Sequence, residues 1–380
     1  MVKKSNLFRV DPMLLGVCTA LVFLGILILT SVSASISLQR YGTTFYFLNH
    51  QLLLGLLPGL AAGFIAFLLP VNSLKKWAFP ALLFSLLLLL GVFLPLIGTE
   101  TGAHRWIYVG PFSFQPSELV KLTFILYLAS FLANRMERRG NPEKKQGFWS
   151  KIGEGKETLL PFLAVVGVLA FFLILQPDIS TLGVIAFTAL FIYFAAGTPL
   201  WHTPLMAIGG LAALYVLVKV APYRLSRLAV FLDPSLDPLG QGYQIKQALI
   251  GIGSGGLVGT GLGLSFQKFG FLPEPISDSV FAVVAEEVGF LGASFVILLF
   301  LLFVWRGLLL AKRTDNMFAK LCMVGITSWI ALQAFVNMGS IIGFLPLTGI
   351  PLPFISYGGS ALVVELIAVG ILLNMSKETT

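Results

Sequence analysis

Four carboxylates, Glu274, Asp278, Glu286 and Glu287, fall in the single stretch FLPEPISDSVFAVVAEEVGFLGASFVILLFLL at positions 271–302, at the mouth of a hydrophobic run and just inside it. A carboxylate in a bilayer costs about 2.5 kcal/mol or more, so such groups face a cavity or a partner. Asp278 stands directly before the apolar run. There it can cap a helix through free backbone N–H groups, or accept a proton from a substrate hydroxyl. Glu286 lies about 12 Å farther along by helical rise, and Glu287 points about 100° away from it. Both read as buried polar braces and not as bases.

A second constellation is GAHRWIYVGPFSFQPSELVK at 102–121. Trp106 and Tyr108 suit an interfacial aromatic belt, while the planar fork of Arg105 suits a phosphate or pyrophosphate. Pro116 can open a helix in which Glu118 and Lys121 share a face, either as a self-neutralising packing pair or as substrate contacts. In QPDIS, at 176–180, Pro177 breaks one helix and Asp178 caps the next. The proline- and glycine-rich segment 336–365 joins two apolar runs, so Asn337, Thr348, Ser356, Tyr357 and Ser360 should line or brace a cavity. GIGSGG at 251–256 has the G-x-G-x-x-G spacing, but it follows the helix-like QIKQALIG with no strand before it. It is therefore read as glycine freeing the backbone to turn, not as a dinucleotide site.

The elements that must position these groups are membrane helices. The chain of 380 residues is 57% hydrophobic and only 11% charged, against about 25% charged in a soluble domain, and its mean hydropathy is +0.92. Spans of about 20 residues are expected at 12–33, 48–69, 77–97, 117–134, 158–176, 180–196, 203–221, 279–304, 318–342 and 356–374. This is an all-α polytopic protein of ten transmembrane helices forming one domain over 1–380. With both termini cytoplasmic, most basic residues fall inside, including those of a cytoplasmic loop at 135–157. A long outer loop is left at 222–278. The net charge of +8 is then a topology signal and does not indicate a nucleic-acid partner. Cys18 and Cys322 lie in separate spans and suggest no disulfide. No internal repeat is visible, which weakens a transporter reading.

Taken in order, GAHRWI, FQPSELVK, QPDIST, GYQIKQALIGIGSGGLVGTGLGLSFQKFGFLPE, DSVFAVVAEEVG and GFLPLTGIPLPFISYGG cover nearly the whole chain. In these motifs the chain resembles the SEDS family, that of FtsW, RodA and SpoVE, and GLGLSFQK and TGIPLPFISYGG look closer to FtsW than to RodA. The resemblance implies a GT-C-like ten-helix peptidoglycan glycosyltransferase of the bacterial cytoplasmic membrane, acting in division or elongation. Its substrate would be lipid II, an undecaprenyl-pyrophosphate-linked disaccharide peptide. Its partners would be a class B penicillin-binding protein and other divisome or elongasome membrane proteins.

By motif position the family's essential aspartate falls on Asp278, its arginine and tryptophan on Arg105 and Trp106, and its intramembrane pair on Glu118 and Lys121. Gln115, Ser356 and Tyr357 complete the expected substrate-binding set. A divalent cation, Mg or Mn, is the one cofactor considered. Around the aspartate the family usually reads His-Thr-Asp-Phe-Ile, whereas this chain has Ile276, Ser277, Asp278, Ser279 and Val280. The rival readings are a lipid II flippase and a non-catalytic scaffold for a penicillin-binding protein.

Overall fold

The computed structural model describes residues 10–94, 105–109, 112–139, 148–199, 201–220 and 223–377. Asp11 starts the first helix, α1 (Pro12–Tyr41): its carboxylate accepts from Leu14 N at 2.8 Å, and Pro12 needs no N–H partner in the first turn. The helix runs to Gly42, whose φ of 69° ends it, and so extends past the expected boundary at 33. Nothing in SVSASISLQRY breaks a helix once it has left the hydrocarbon layer.

Next come α2 (Tyr46–Gln51), a π-helical turn (Leu52–Leu56) and α3 (Leu57–Leu68), which form one continuous rod. Pro58 has no N–H to offer Leu54, and the π turn absorbs that fault. α4 (Val71–Gly91), the antiparallel hairpin β1 (Ile107–Val109) and β2 (Phe112–Phe114), α5 (Pro116–Arg139), α6 (Phe148–Leu175), α7 (Ile179–Ala195) and α8 (His202–Val220) follow. After them come α9 (Tyr223–Leu232), α10 (Gln241–Ser254), α11 (Val280–Arg313), α12 (Met317–Ile341) and α13 (Gly359–Ser376).

Eight of these segments are long and apolar enough to cross a membrane. At the sixth and seventh expected spans stand α7, apolar but shorter, and α8. The expected cytoplasmic loop is partly helical, since α6 begins at Phe148; its residues 140–147 lie outside the described ones.

α1 and α11 run antiparallel and are tied at both ends. Arg306 pairs with Asp11 at one end, and Ser31 Oγ donates to Glu287 at 2.8 Å at the other. Each stretch between the ties amounts to about 30 Å of helical rise, the thickness of a hydrocarbon core. On the Asp11 side, the Asp11 N–H donates to Ser376 Oγ, Lys75 pairs with Glu137, and Lys377 donates to Phe67 O. Both ends of the described chain therefore share one face. α13 packs on α3 through glycines: a Cβ on Gly370 would sit 2.0 Å from Gly63 O, so the backbones approach as closely as small-residue interfaces allow.

The expected outer loop is not a simple loop: from residue 223 on it contains α9 and α10. Gly289, with φ 67° and ψ −169°, interrupts α11. Thr260 N and Gly261 N donate to the carbonyls of Glu286 and Glu287, and Phe290 N and Leu291 N donate to Gly256 O and Leu257 O. The glycine-rich run thus supplies the partners that the broken helix lacks. Of the GIGSGG run, residues 251–254 end α10 and the backbone turns at Gly256, φ +53°; close approach follows at Gly259, where φ is +86° and a Cβ would lie 2.2 Å from Glu287 O.

Candidate active site

At the face opposite the two ends of the described chain, helix ends converge. Asp178 caps α7 by accepting from Thr181 N at 3.3 Å, and Ser117 Oγ donates to its second oxygen at 3.3 Å, which joins the starts of α5 and α7. The end of α6 leaves carbonyls without helical partners. Arg105 takes two of them, with Nε donating to Gln176 O at 3.0 Å and Nη2 to Pro177 O at 2.5 Å.

The chain before α11 is held carbonyl by carbonyl. Tyr357 N donates to Ile276 O at 2.8 Å, Ser356 Oγ to Ser277 O at 2.5 Å, and Asn337 Nδ2 to Asp278 O at 2.8 Å. Asn337 Nδ2 also donates to Ile350 O at 2.7 Å, and Ser180 Oγ to Thr348 O at 2.8 Å, so the loop after α12 is fastened to both α7 and Asp278.

The Asp278 backbone is thus immobilised while its carboxylate has no hydrogen bond or ion pair among the described residues. It does not cap α11, because Ser279 is the N-cap and makes no side-chain cap bond. Burial raises the Asp278 pKa from 3.8 to about 6, with the negative charge of Glu274 adding to the rise. Gly349, at φ +67°, lies against it, and a Cβ there would sit 3.3 Å from Asp278 Oδ2.

Asp278 shares the wall of a cavity of about 580 Å³ with Arg105, Gln115, Glu118, Asp178 and Arg227. Glu118 is neutralised by Lys121 at 2.7 Å, both side chains being buried. Lys121 in turn donates to Gln333 Oε1 at 2.7 Å and lies over the Trp329 ring, and Gln333 Nε2 holds Pro351 O. Among the described residues no three His, Cys, Asp or Glu side chains converge on a metal position. A Mg or Mn ion would have to draw most of its oxygens from water and substrate phosphate.

The family described as "Cell cycle protein" (FtsW, RodA, SpoVE) matches residues 12–380. The chain belongs to the FtsW/RodA/SpoVE family. It is similar to "Stage V sporulation protein E" of Bacillus subtilis (strain 168), 37% identical over 368 residues that cover 97% of each chain. It is also similar to "Probable peptidoglycan glycosyltransferase FtsW" of Coxiella burnetii, 38% identical over 385 residues and the full length of both. A solved structure described as "Structural coordination of polymerization and crosslinking by a peptidoglycan synthase complex" superposes with a TM-score of 0.75 at 30% identity, covering 98% of this chain and 99% of that one.

In this FtsW/RodA/SpoVE chain, four of the residues singled out from the sequence, Arg105, Gln115, Glu118 and Asp278, meet in one cavity wall. The other four stand outside it. Lys121 is consumed by Glu118 and Gln333, and Trp106 lies half-buried before β1. Ser356 spends its hydroxyl on Ser277 O and Leu352 N, and the Tyr357 hydroxyl meets His50 Nδ1 at 2.9 Å. Ser356 and Tyr357 therefore hold the carbonyls of the two residues before Asp278, Ser277 and Ile276. Arg227, on α9, was missed. Its only signal was the amphipathic pattern of YRLSRLAVFL inside what read as a loop.

Proposed function

We propose that this protein is a peptidoglycan glycosyltransferase that polymerises lipid II at the outer face of the bacterial cytoplasmic membrane. One observation carries the reading: a partly buried carboxylate, unpaired among the described residues, on a fixed backbone in the wall of a cavity that also holds two arginines. Asp278 accepts the proton of the acceptor's 4-hydroxyl as that oxygen attacks the anomeric carbon of the donor. The bond from that carbon to the pyrophosphate oxygen breaks, the lipid pyrophosphate leaves with the electron pair, and the configuration inverts. Arg105, anchored through Nε and Nη2, keeps Nη1 without a protein partner among the described residues, and together with Arg227 it offsets charge building on the leaving group. Lys121 stays with Glu118 as packing.

The reading includes ten spans, cytoplasmic termini and a class B penicillin-binding protein as partner. The basic residues Lys75, Arg306 and Lys377 on the face that carries both described ends support that orientation. A cysteine at Ser235 is expected to react with an impermeant thiol reagent added to intact spheroplasts, and one at Lys312 is not. The native Cys18 and Cys322 are buried and stay silent. The reverse labelling would overturn the orientation.

Purified protein given lipid II, alone and with its partner, should yield glycan polymer. Because the base form of Asp278 exists only above its pKa of about 6, kcat/KM should fall about tenfold per pH unit below that value and level off above about pH 7. A flat profile from pH 5 to 7.5 would exclude Asp278 as the base.

A further inference from the structure

A second, smaller cavity of about 140 Å³ adjoins the first and also has Asp278 in its wall, with Arg227, Gln241, Gln244, Asn337 and Ser340 among others. We propose that it is the subsite for the hydroxyl-bearing edge of the acceptor sugar next to the reacting hydroxyl, with Asn337, Gln241 and Gln244 as its hydrogen-bonding residues. The proposal rests on the reading of Asp278 as the base that activates an acceptor hydroxyl.

Asn337 is 1% exposed. Its Nδ2 is spent on Asp278 O and Ile350 O, and its Oδ1 has no partner among the described residues. Native structures seldom leave a buried acceptor unpaired unless a ligand or water meets it. Ser340 Oγ donates to Asn337 O, which leaves its lone pairs as acceptors. Gln244 spends Nε2 on Ser279 Oγ, and the Gln241 side chain has no partner among the described residues, since only its backbone N–H is held, by Asp237.

With the Asp278 carboxylate added, most of the unused capacity of this cavity apart from Arg227 is acceptor capacity. A group rich in O–H or N–H donors is the complementary ligand there, and the Arg227 guanidinium, which also lines the larger cavity, suits the pyrophosphate. The volume excludes a whole disaccharide and admits one polar edge of a pyranose. The two cavities share Asp278 and Arg227. A donor with its pyrophosphate toward Arg105 and an acceptor edge beside Asn337 would therefore meet at the base.

The experiment separates the two substrates. A labelled lipid II lacking the 4-hydroxyl can only donate, and an analogue with a monophosphate in place of the pyrophosphate can only accept. Gln241→Leu and Gln244→Leu are each expected to raise the KM for the acceptor-only analogue about tenfold, the loss of roughly one hydrogen bond, with the donor KM within about twofold of the parent. Unchanged acceptor KM in both variants, or donor and acceptor KM rising together, would overturn the subsite.

If the parent transfers nothing, the glycosyltransferase reading fails by itself. Calorimetric titration of the acceptor-only analogue then tests the cavity without turnover. Weaker binding by the two variants sustains the subsite, and equal binding by parent and variants, as for a cavity that holds only water, removes it.

Discussion

Asp278→Asn is expected to lower lipid II polymerisation by about two to four orders of magnitude, the usual cost of losing a general base. The substitution keeps the shape of the side chain and all three backbone anchors, because Tyr357 N, Ser356 Oγ and Asn337 Nδ2 hold main-chain carbonyls. A capping role would predict almost no effect, since asparagine caps as well as aspartate. Asp278 does not cap the helix in any case, since the N-cap position falls on Ser279.

Stability should move the other way. The folded pKa of about 6 lies above the ordinary 3.8, so the folded protein holds the proton more tightly and loses stability as pH rises through that window. At neutral pH the ionised carboxylate is a cost that asparagine does not carry. The variant is therefore expected to unfold no earlier than the parent while polymerising hardly at all. The measurement is polymer yield from lipid II beside a thermal melt in the same detergent. Parental polymerisation by a folded variant would return Asp278 to a structural role.

The second large effect is on stability. Lys268 Nζ lies 2.8 Å from Glu287 Oε1 and 3.2 Å from Ser31 Oγ, and both charged side chains are 3% exposed. Lys268→Met leaves the Glu287 carboxylate buried with only the Ser31 hydroxyl, a change that costs about 3 to 5 kcal/mol when one partner of a buried pair is removed. The tie joins α1, α11 and the glycine-rich run, so its loss should lower the melting midpoint by several degrees or prevent recovery of folded protein. The double variant Lys268→Met with Glu287→Met should regain most of the loss, because an apolar pair of similar volume removes both desolvation costs. Size-exclusion profiles and melts of the two variants give the comparison. A single variant that melts with the parent would show that the pair contributes nothing.

Some of this site was legible because its causes are local. Asp178 lies three residues from the N–H it caps, and the proline before it breaks the preceding helix, so QPDIS could be read without any tertiary contact. Glu286 and Glu287 read as braces from the cost of burying charge alone. The structure supplies the partners: Ser265 Oγ and the N–H groups of Phe266 and Gln267 for Glu286, and Ser31 and Lys268 for Glu287. Other features were hidden because they depend on residues far apart. Gly289 in an apolar run reads as helix, and its break becomes tolerable only because the 256–261 backbone arrives to pair with the freed groups. Ser356 and Tyr357 were expected to line or brace the cavity. In the structure Ser356 Oγ holds Ser277 O and Tyr357 N holds Ile276 O, while the Tyr357 hydroxyl goes to His50, partners that no spacing in the sequence reveals.

By itself the sequence determined the class of solvent and the motifs that mark the family. Hydropathy adds up residue by residue, and backbone groups in hydrocarbon must be satisfied within each helix, so apolar length translates directly into spans. It also marked Asp278 and Arg105 as residues that could carry chemistry, because charge in an apolar chain is conspicuous. Only the tertiary structure decided which polar groups are used up and which are left over. Lys121 was taken up by Glu118 and Gln333, while Asp278 was kept without a partner among the described residues, and Asn337 and Arg227 were brought into the same cavity wall. The reason is that hydrogen-bond capacity is spent on neighbours in space, and packing across α5, α9, α11 and α12 chooses those neighbours.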